Sequence, residues 1–360
     1  MIIALIIVVL IVVGFYLFLQ QTQFGKKASG KDLKRIQSSP NYKNGQFQNI
    51  NFTPQLTGEA GMVKVMREFF FNKDKRNVPP NVLPSERTNL FQLDLNDDVL
   101  VWFGHSSYFM QLNRKRFLID PVLSGHASPV KFTTRSFKGS DVYTVDDIPP
   151  IDFLLITHDH YDHLDYSTIV KLKPKIKQVI TGLGVGAHLQ QWGYNPAVIM
   201  EKDWNEKIQF ENLTVNTTPA RHFSGRSFKR NSSLWLSFAV ITPNRKIFIG
   251  GDSGYDTHFK TIGEQFGPFD LVILECGQYN NYWKYIHMMP EEVVQAAEDL
   301  QAKKLLPVHW GKFSLSLHAW DEPVTRIACE AKRKGMDLIH PMIGEAVYLD
   351  QNIFSSEWWK

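Results

Sequence analysis

The heptapeptide Thr157-His158-Asp159-His160-Tyr161-Asp162-His163 follows directly on the apolar run Phe153-Leu154-Leu155-Ile156. Three histidines and two aspartates crowd into the six residues after Thr157, at the end of a segment that reads as a strand. On a strand His158 and His160 share a face, while Asp162 and His163 turn back from the following loop toward a second centre. Imidazole and carboxylate are good ligands for Zn²⁺ or Mn²⁺, and one carboxylate can join two ions. Taken alone, the stretch also fits a polar surface loop, since a His-x-His pair is common by chance.

Three later segments tip that balance. They are Ala220-Arg221-His222-Phe223-Ser224-Gly225, Gly250-Gly251-Asp252-Ser253-Gly254 and Pro307-Val308-His309-Trp310-Gly311. Each places its His or Asp after an apolar run and beside a small residue or turn. A β-rich scaffold can aim such side chains from several strands at one rigid point. The glycine pair after Ile247-Phe248-Ile249 lets the backbone turn tightly and leaves Asp252 at the strand end, able to bridge two ions. A buried, unpaired aspartate would otherwise be costly.

Around these motifs, short apolar runs near 99–103, 108–112, 117–119, 153–156, 178–181, 213–217, 234–241, 246–249, 271–274 and 305–308 read as strands. Helical stretches fall between the later ones, clearest at 290–302, where Pro290 suits a first turn and Val293, Val294, Ala297 and Leu300 share a face. The pattern predicts an α/β (α+β) fold, an αββα sandwich of two mixed sheets flanked by helices, over 99–350. Residues 51–98, with a short helix at 62–71 and breaks at Pro79, Pro80 and Pro84, read as an arm packed on that body. Residues 21–50 read as a polar linker and 351–360 as a tail whose Trp358 and Trp359 are of the type that meets a membrane interface.

Ile2 to Leu19 is an uncharged run rich in Ile, Val and Leu, long enough for one transmembrane helix within a 1–20 anchor. A cleaved signal peptide is the competing reading, but no basic residue precedes the run and no small-x-small site follows it. Lys26, Lys27, Lys31, Lys34 and Arg35 all follow, so the positive-inside bias keeps the body in the cytoplasm on a single-pass anchor. The 360 residues suffice for one large core or two modest ones, with 43% hydrophobic and 21% charged residues. The net charge of +4 is spread along the chain, so no nucleic-acid partner is expected. Cys276 and Cys329 are the only cysteines, which argues against a disulfide framework.

The order His-x-His-x-Asp-His, later His, Asp and final His resembles the metallo-β-lactamase superfamily. A closer resemblance, from about Asn51 to Ile343, is to the N-acylphosphatidylethanolamine-hydrolysing phospholipase D family. It is carried by Val101-Trp102-Phe103-Gly104-His105, Ile119-Asp120-Pro121, Ile148-Pro149-Pro150-Ile151-Asp152, His160-Tyr161-Asp162-His163-Leu164-Asp165-Tyr166, Phe266-Gly267-Pro268-Phe269-Asp270, Lys284-Tyr285-Ile286-His287, Pro290-Glu291-Glu292 and His309-Trp310-Gly311. A sugar-acid lactonase group shares part of this pattern, and the stretch from Lys284 to His309 favours the phospholipase.

The resemblance implies two divalent ions, zinc first, with manganese or iron also suited to the ligands. His158, His160 and His222 would hold one, Asp162, His163 and His309 the other, and Asp252 would bridge. It implies hydrolysis of a phospholipid or other phosphodiester by in-line attack of metal-activated water, with Asp162 and Asp252 catalytic as well as ligating. His287 would lie beside the substrate phosphate, the alternative being a structural histidine. Asp120 and His105 are candidates to orient ligating imidazoles, with simple packing nearly as natural a role. The other histidines, His126, His188, His258, His318 and His340, read as surface or core residues. A homodimer is the assembly the family suggests. The competing functions are a lactonase, amidase or cyclic phosphodiesterase on the same site, or a metal-loaded binding protein without turnover.

Overall fold

Along Val99–Trp102, Val99 and Val101 enter one apolar cluster while Leu100 and Trp102 enter another. The same division runs through Ile151–Ile156, where Phe153 and Leu155 face one side and Leu154 and Ile156 the other. Such strands need cover on both faces. The computed structural model, which describes all residues except 59–60, 227–228 and 352–355, shows how the chain supplies it.

Two seven-stranded sheets lie face to face. The first runs, edge to edge, Ala346–Tyr348, Val99–Trp102, Tyr108–Leu112, Lys115–Ile119, Ile151–Ile156, Ile176–Gly182 and Ile199–Lys202. Its first four strands pair antiparallel and the rest parallel. The second runs Asp337–Leu338, Lys304–Val308, Leu271–Glu275, Lys246–Ile249, Ser237–Ile241, Leu213–Thr218 and Lys207–Phe210. It has the same division, parallel toward Asp337–Leu338 and antiparallel toward Lys207–Phe210. Phe153 joins the layers, its ring centroid 5.1 Å from Phe117 and 4.6 Å from Phe210 of the other sheet. Truncating such a buried ring to alanine costs roughly 3–5 kcal/mol.

Helices Tyr166–Leu172 and Gly186–Gln191 contribute Ile169, Leu172 and Leu189 to the outer face of the first sheet. His258–Phe266, Pro290–Asp299 and Glu322–Lys334 bury Phe259, Val293, Val294 and Ile327 with the second. The expected αββα sandwich is therefore the observed one. Pro290 opens its helix as expected, but the helix ends at Asp299, because Gln301 just beyond takes a left-handed φ of +57°. The strand expected over 234–241 begins only at Ser237. Leu234 and Leu236 instead donate their amides to the Leu183 and Thr157 carbonyls, so this stretch braces the loop that carries the histidines.

The stretch 21–50 departs from a linker. It holds a turn at Thr22–Phe24, a helix at Gly30–Gln37 and a small hairpin, and it buries Phe24, Ile36 and Phe47. Within 51–98, the helix Met62–Phe71 is present and Leu83, Leu90 and Leu93 are buried. The tail tryptophans face the body. Trp358 stacks on Trp310 at 5.1 Å and Trp359 is 4% exposed, so neither is offered to a membrane interface.

The helix Ile2–Leu19, here α1, buries none of its residues against the protein. Among the described residues it is the one helix long and apolar enough to cross a membrane by length and composition.

Candidate metal centre

The site is assembled where strands of both sheets end. His158 follows Ile151–Ile156, His222 follows Leu213–Thr218, Asp252 follows Lys246–Ile249 and His309 follows Lys304–Val308. The turn into Asp252 requires Gly251, whose φ is +61° and where an added Cβ would lie 2.9 Å from the Thr157 side chain. All seven residues expected to ligate converge, together with His287, Asp120 and His105.

Asp120 sets the orientation of two rings. It accepts from the Thr157 backbone N–H at 2.9 Å, the Thr157 hydroxyl at 2.6 Å and His163 Nδ1 at 2.8 Å. With its proton given to Asp120, the Thr157 hydroxyl accepts from His158 Nδ1 at 3.0 Å, which leaves the His158 Nε2 lone pair facing inward. His222 is fixed in the same manner, its Nδ1–H donating to the Ile286 carbonyl at 2.7 Å. Its Nε2 faces His160 Nδ1 at 3.3 Å and Asp252 Oδ2 at 3.7 Å, and His158 Nε2 lies 2.9 Å from the same His160 nitrogen. One four-membered group is thus His158, His160, His222 and Asp252.

The second group is His105, Asp162, His163 and His309. His105 donates from Nε2 to Asp162 Oδ2 at 2.9 Å, so it sits within ligating range while already steering that carboxylate. Asp252 lies between the groups, with Oδ2 3.2 Å from His163 Nε2 and Oδ1 3.3 Å from His309 Nδ1. Asp252, His287 and His309 also form a close triple.

Electrostatics point to cations here. Burial holds His158, His222 and His309 well below the ordinary histidine pKa, so they are neutral and available as ligands at pH 7. Burial works against charge on His163 too, but Asp252, Asp162 and Asp120 outweigh it and raise its pKa well above the usual value. Two buried carboxylates and the partly buried Asp162 demand positive charge at that point, and a metal ion supplies it in place of a proton. Buried His163 Nε2 and Asp252 Oδ1 meet no hydrogen-bond partner among the described residues. The donor set fits divalent metal ions.

Several supporting residues lie outside the expected site. Asn49, in the stretch read as a linker, donates to the His222 carbonyl at 2.8 Å and accepts from the His222 N–H at 3.1 Å and from Trp235 Nε1 at 3.0 Å. Glu275 lies fully buried with Oε1 3.4 Å from His287 Nδ1. A charged residue closing the apolar strand Leu271–Glu275 was the available clue. His188, read as surface or core, is buried and reaches the histidine loop through Asp159 Oδ2 at 3.2 Å.

A cavity of about 290 Å³ opens over the site, lined among others by Asp162, Arg230, Asp252, Trp283, His287 and His309. It adjoins a mostly apolar pocket of about 640 Å³, with which it shares His160, Asp162, Phe223, Arg230 and Leu315.

A family model for a beta-lactamase superfamily domain matches residues 115–310. An uncharacterized protein of Mycobacterium tuberculosis is 37% identical over 341 residues, 92% of each chain. The N-acyl-phosphatidylethanolamine-hydrolyzing phospholipase D 1 of Caenorhabditis elegans is 29% identical over 299 residues, 76% of this chain and 83% of its own. Among solved structures, Igni18, a metallo hydrolase from the archaeon Ignicoccus hospitalis, aligns with a TM-score of 0.55 at 19% identity. That alignment covers 70% of this chain and 98% of the other, a likeness of fold.

Proposed function

The chain belongs to the metallo-β-lactamase superfamily and is a metal-dependent hydrolase, and on that footing we propose that it cleaves a phosphodiester bond of a membrane phospholipid, leaving a phosphatidate-like product. The observation that carries the reading is the adjacency of the metal-site cavity to the larger apolar pocket, the two sharing five lining residues. A small polar ester has no use for that apolar volume, whereas a lipid phosphodiester occupies both. The C. elegans relative, named for hydrolysing such a lipid, adds support.

In this reading His158, His160 and His222 hold one divalent cation, Asp162, His163 and His309 a second, and Asp252 lies between them. Zinc is the first expectation. Bound there, the pair supplies Lewis acidity to phosphoryl oxygens and lowers the pKa of water. The side chains do the rest. Asp162 and Asp252 orient the attacking water, and Asp162 takes up its proton. Arg230, lining both cavities, offers its guanidinium to the phosphodiester anion. His287 lines the same cavity, and with Nδ1 turned to Glu275 it protonates the departing alkoxide from its other ring nitrogen. α1 serves as a single-pass anchor, and the basic residues after it keep the body on the cytoplasmic side.

The test is elemental analysis of the purified full chain, alongside product identification from a phospholipid panel in ¹⁸O water. Near-stoichiometric divalent metal and label in the phosphate product are expected. Label in the alcohol, or turnover confined to small soluble esters, overturns the reading.

A further inference from the structure

α1 does not end in slack chain. The turn that follows it is fastened to the loop bearing the metal-site histidines. Arg226, 4% exposed, donates from Nε and one terminal nitrogen to the Gln23 carbonyl at 3.2 and 2.8 Å. Its other terminal nitrogen donates to the carbonyls of Asp159 at 2.9 Å and Leu164 at 2.7 Å. One guanidinium therefore ties the chain just after the anchor to both ends of the histidine loop. His188 repeats the link, accepting the Lys26 N–H on Nδ1 at 2.9 Å and donating from Nε2 to Asp159 Oδ2 at 3.2 Å. Trp192 adds a third tie, its Nε1–H donating to the Thr22 carbonyl at 2.7 Å.

The backbone is shaped for this contact. Gly25 takes φ +74°, and an added Cβ there would lie 2.1 Å from His188 Nδ1. Phe24 is buried, edge-on to Tyr161 of the histidine loop at 6.3 Å. Leu19, the last residue of α1, and Phe24 line the apolar pocket that His160 and Asp162 also line. Beside it lies a cavity of about 340 Å³ lined among others by Lys26, Lys27, Arg226, Lys229 and Asp159, a rim of net positive charge against the end of the helix.

We propose that α1 is a docked anchor whose last residue walls the active site, so that the pocket at Leu19 and Phe24 opens at the bilayer surface and draws its phosphodiester lipid from the leaflet holding the C-terminal end of α1. Eighteen residues of uniformly apolar, unburied helix span about 27 Å, close to a hydrocarbon core. Leu19 then lies at headgroup depth, and the pocket it lines lies there with it. Lys26, Lys27 and Lys229 meet the anionic headgroups of that leaflet. A slack tether would enrich the body near lipid without aiming its mouth; a docked one aims it.

The inference rests on the phospholipid reading, and its test separates the two. The full chain carrying Pro129→Cys on a Cys329→Ser background is labelled with an environment-sensitive fluorophore and reconstituted in phosphatidylcholine vesicles containing a headgroup-depth spin-labelled lipid. Pro129 lines the pocket together with Leu19. Quenching of the label is expected. A second version carries about twelve Gly and Ser residues inserted after Gln20, a slack of on the order of 20 Å. It should lose the quenching and hydrolyse vesicle lipid about tenfold more slowly. It should keep its metal content and its rate on a short-chain soluble phosphodiester. An unquenched parent, or an insertion that alters neither readout, overturns the docking proposal. A quenched parent that cleaves no phosphodiester rejects the phospholipid reading and leaves the docking standing.

Discussion

Glu275 Oε1 lies 3.4 Å from His287 Nδ1, an ion-pair separation, and accepts the Met288 N–H at 2.8 Å, so one buried carboxylate faces the ring and holds the backbone beside it. Burial pushes Glu275 up to about 7 against the pull of His287. Burial lowers His287 in turn, but Glu275 outweighs it and the histidine ends above its ordinary value. In the proposed mechanism this pairing favours a proton on the imidazole, as a general acid needs.

His287→Ala should therefore lower kcat by roughly 10²–10⁴-fold while metal content is unchanged. Glu275→Gln, which keeps the shape and removes the charge, should lower kcat about tenfold with little change in KM, the pattern of an interaction made in the transition state. Steady-state kinetics with metal analysis checks both. Full turnover in His287→Ala would return that residue to a structural role.

Asn49 grips the backbone of His222 through both its amide and its carbonyl. Asn49→Ala leaves those two groups without their partner and should destabilise the fold by about 2 kcal/mol. Groups that orient a ligand typically carry 10–100-fold in metal affinity. Under the proposed ligand assignment, titration with a competing chelator should accordingly show the metal on the His222 side weakened, with the other retained. Equal weakening of both metals would argue against two separable sites.

The histidine loop was legible because its chemistry is local, several donor side chains packed between residues 158 and 163. His222, Asp252 and His309 were legible because each sits at a punctuation point, an apolar run giving way to a small residue or turn. Asn49, Arg226 and His188 were not, because each acts on backbone groups far away in sequence: Asn49 is 173 positions from His222, and Arg226 is 203 from Gln23. For the same reason 21–50 looked like a linker. Its order comes from carbonyls and amides captured by distant side chains, which leave no periodicity. Helices Tyr166–Leu172 and Gly186–Gln191 are too short for a 3.6-residue period to show, and packing on the first sheet stabilises them. Trp358 and Trp359 misled because paired tryptophans suit an interface and a core edge equally well.

Arg230 lines both the metal-site cavity and the apolar pocket, and its guanidinium lies 5.0 Å from the Phe223 ring and is hydrogen-bonded to Gln55. In the proposed function it is a cation that would meet a phosphodiester entering from the pocket. Arg230→Ala should raise KM for vesicle phospholipid about tenfold, a change of about 1.4 kcal/mol, with a smaller effect on kcat. Arg230→Lys should restore part of it, since an ammonium keeps the charge but not the planar fork. A KM unchanged in Arg230→Ala would remove the residue from substrate binding.

Metal removal should cost stability as well as activity. Asp120, Asp162 and Asp252 cluster at the centre around His163, and Asp252 Oδ1 makes no hydrogen bond of its own among the described residues. Stripped of cations, this cluster must either take up protons or hold like charges together in a buried place, and both disfavour the fold. A metal at a thousandfold its Kd contributes about 4 kcal/mol of stability, which for a chain of this size corresponds to a Tm change of about 6 °C. Dialysis against chelator should lower Tm by that amount, and added zinc or manganese should restore it. In Asp252→Asn, which weakens the shared ligand, the difference between apo and metal-loaded Tm should shrink to a fraction of the parent value. An apo protein that melts with the holo protein would mean the cluster is satisfied without cations, and the metal-centre assignment would fall with it.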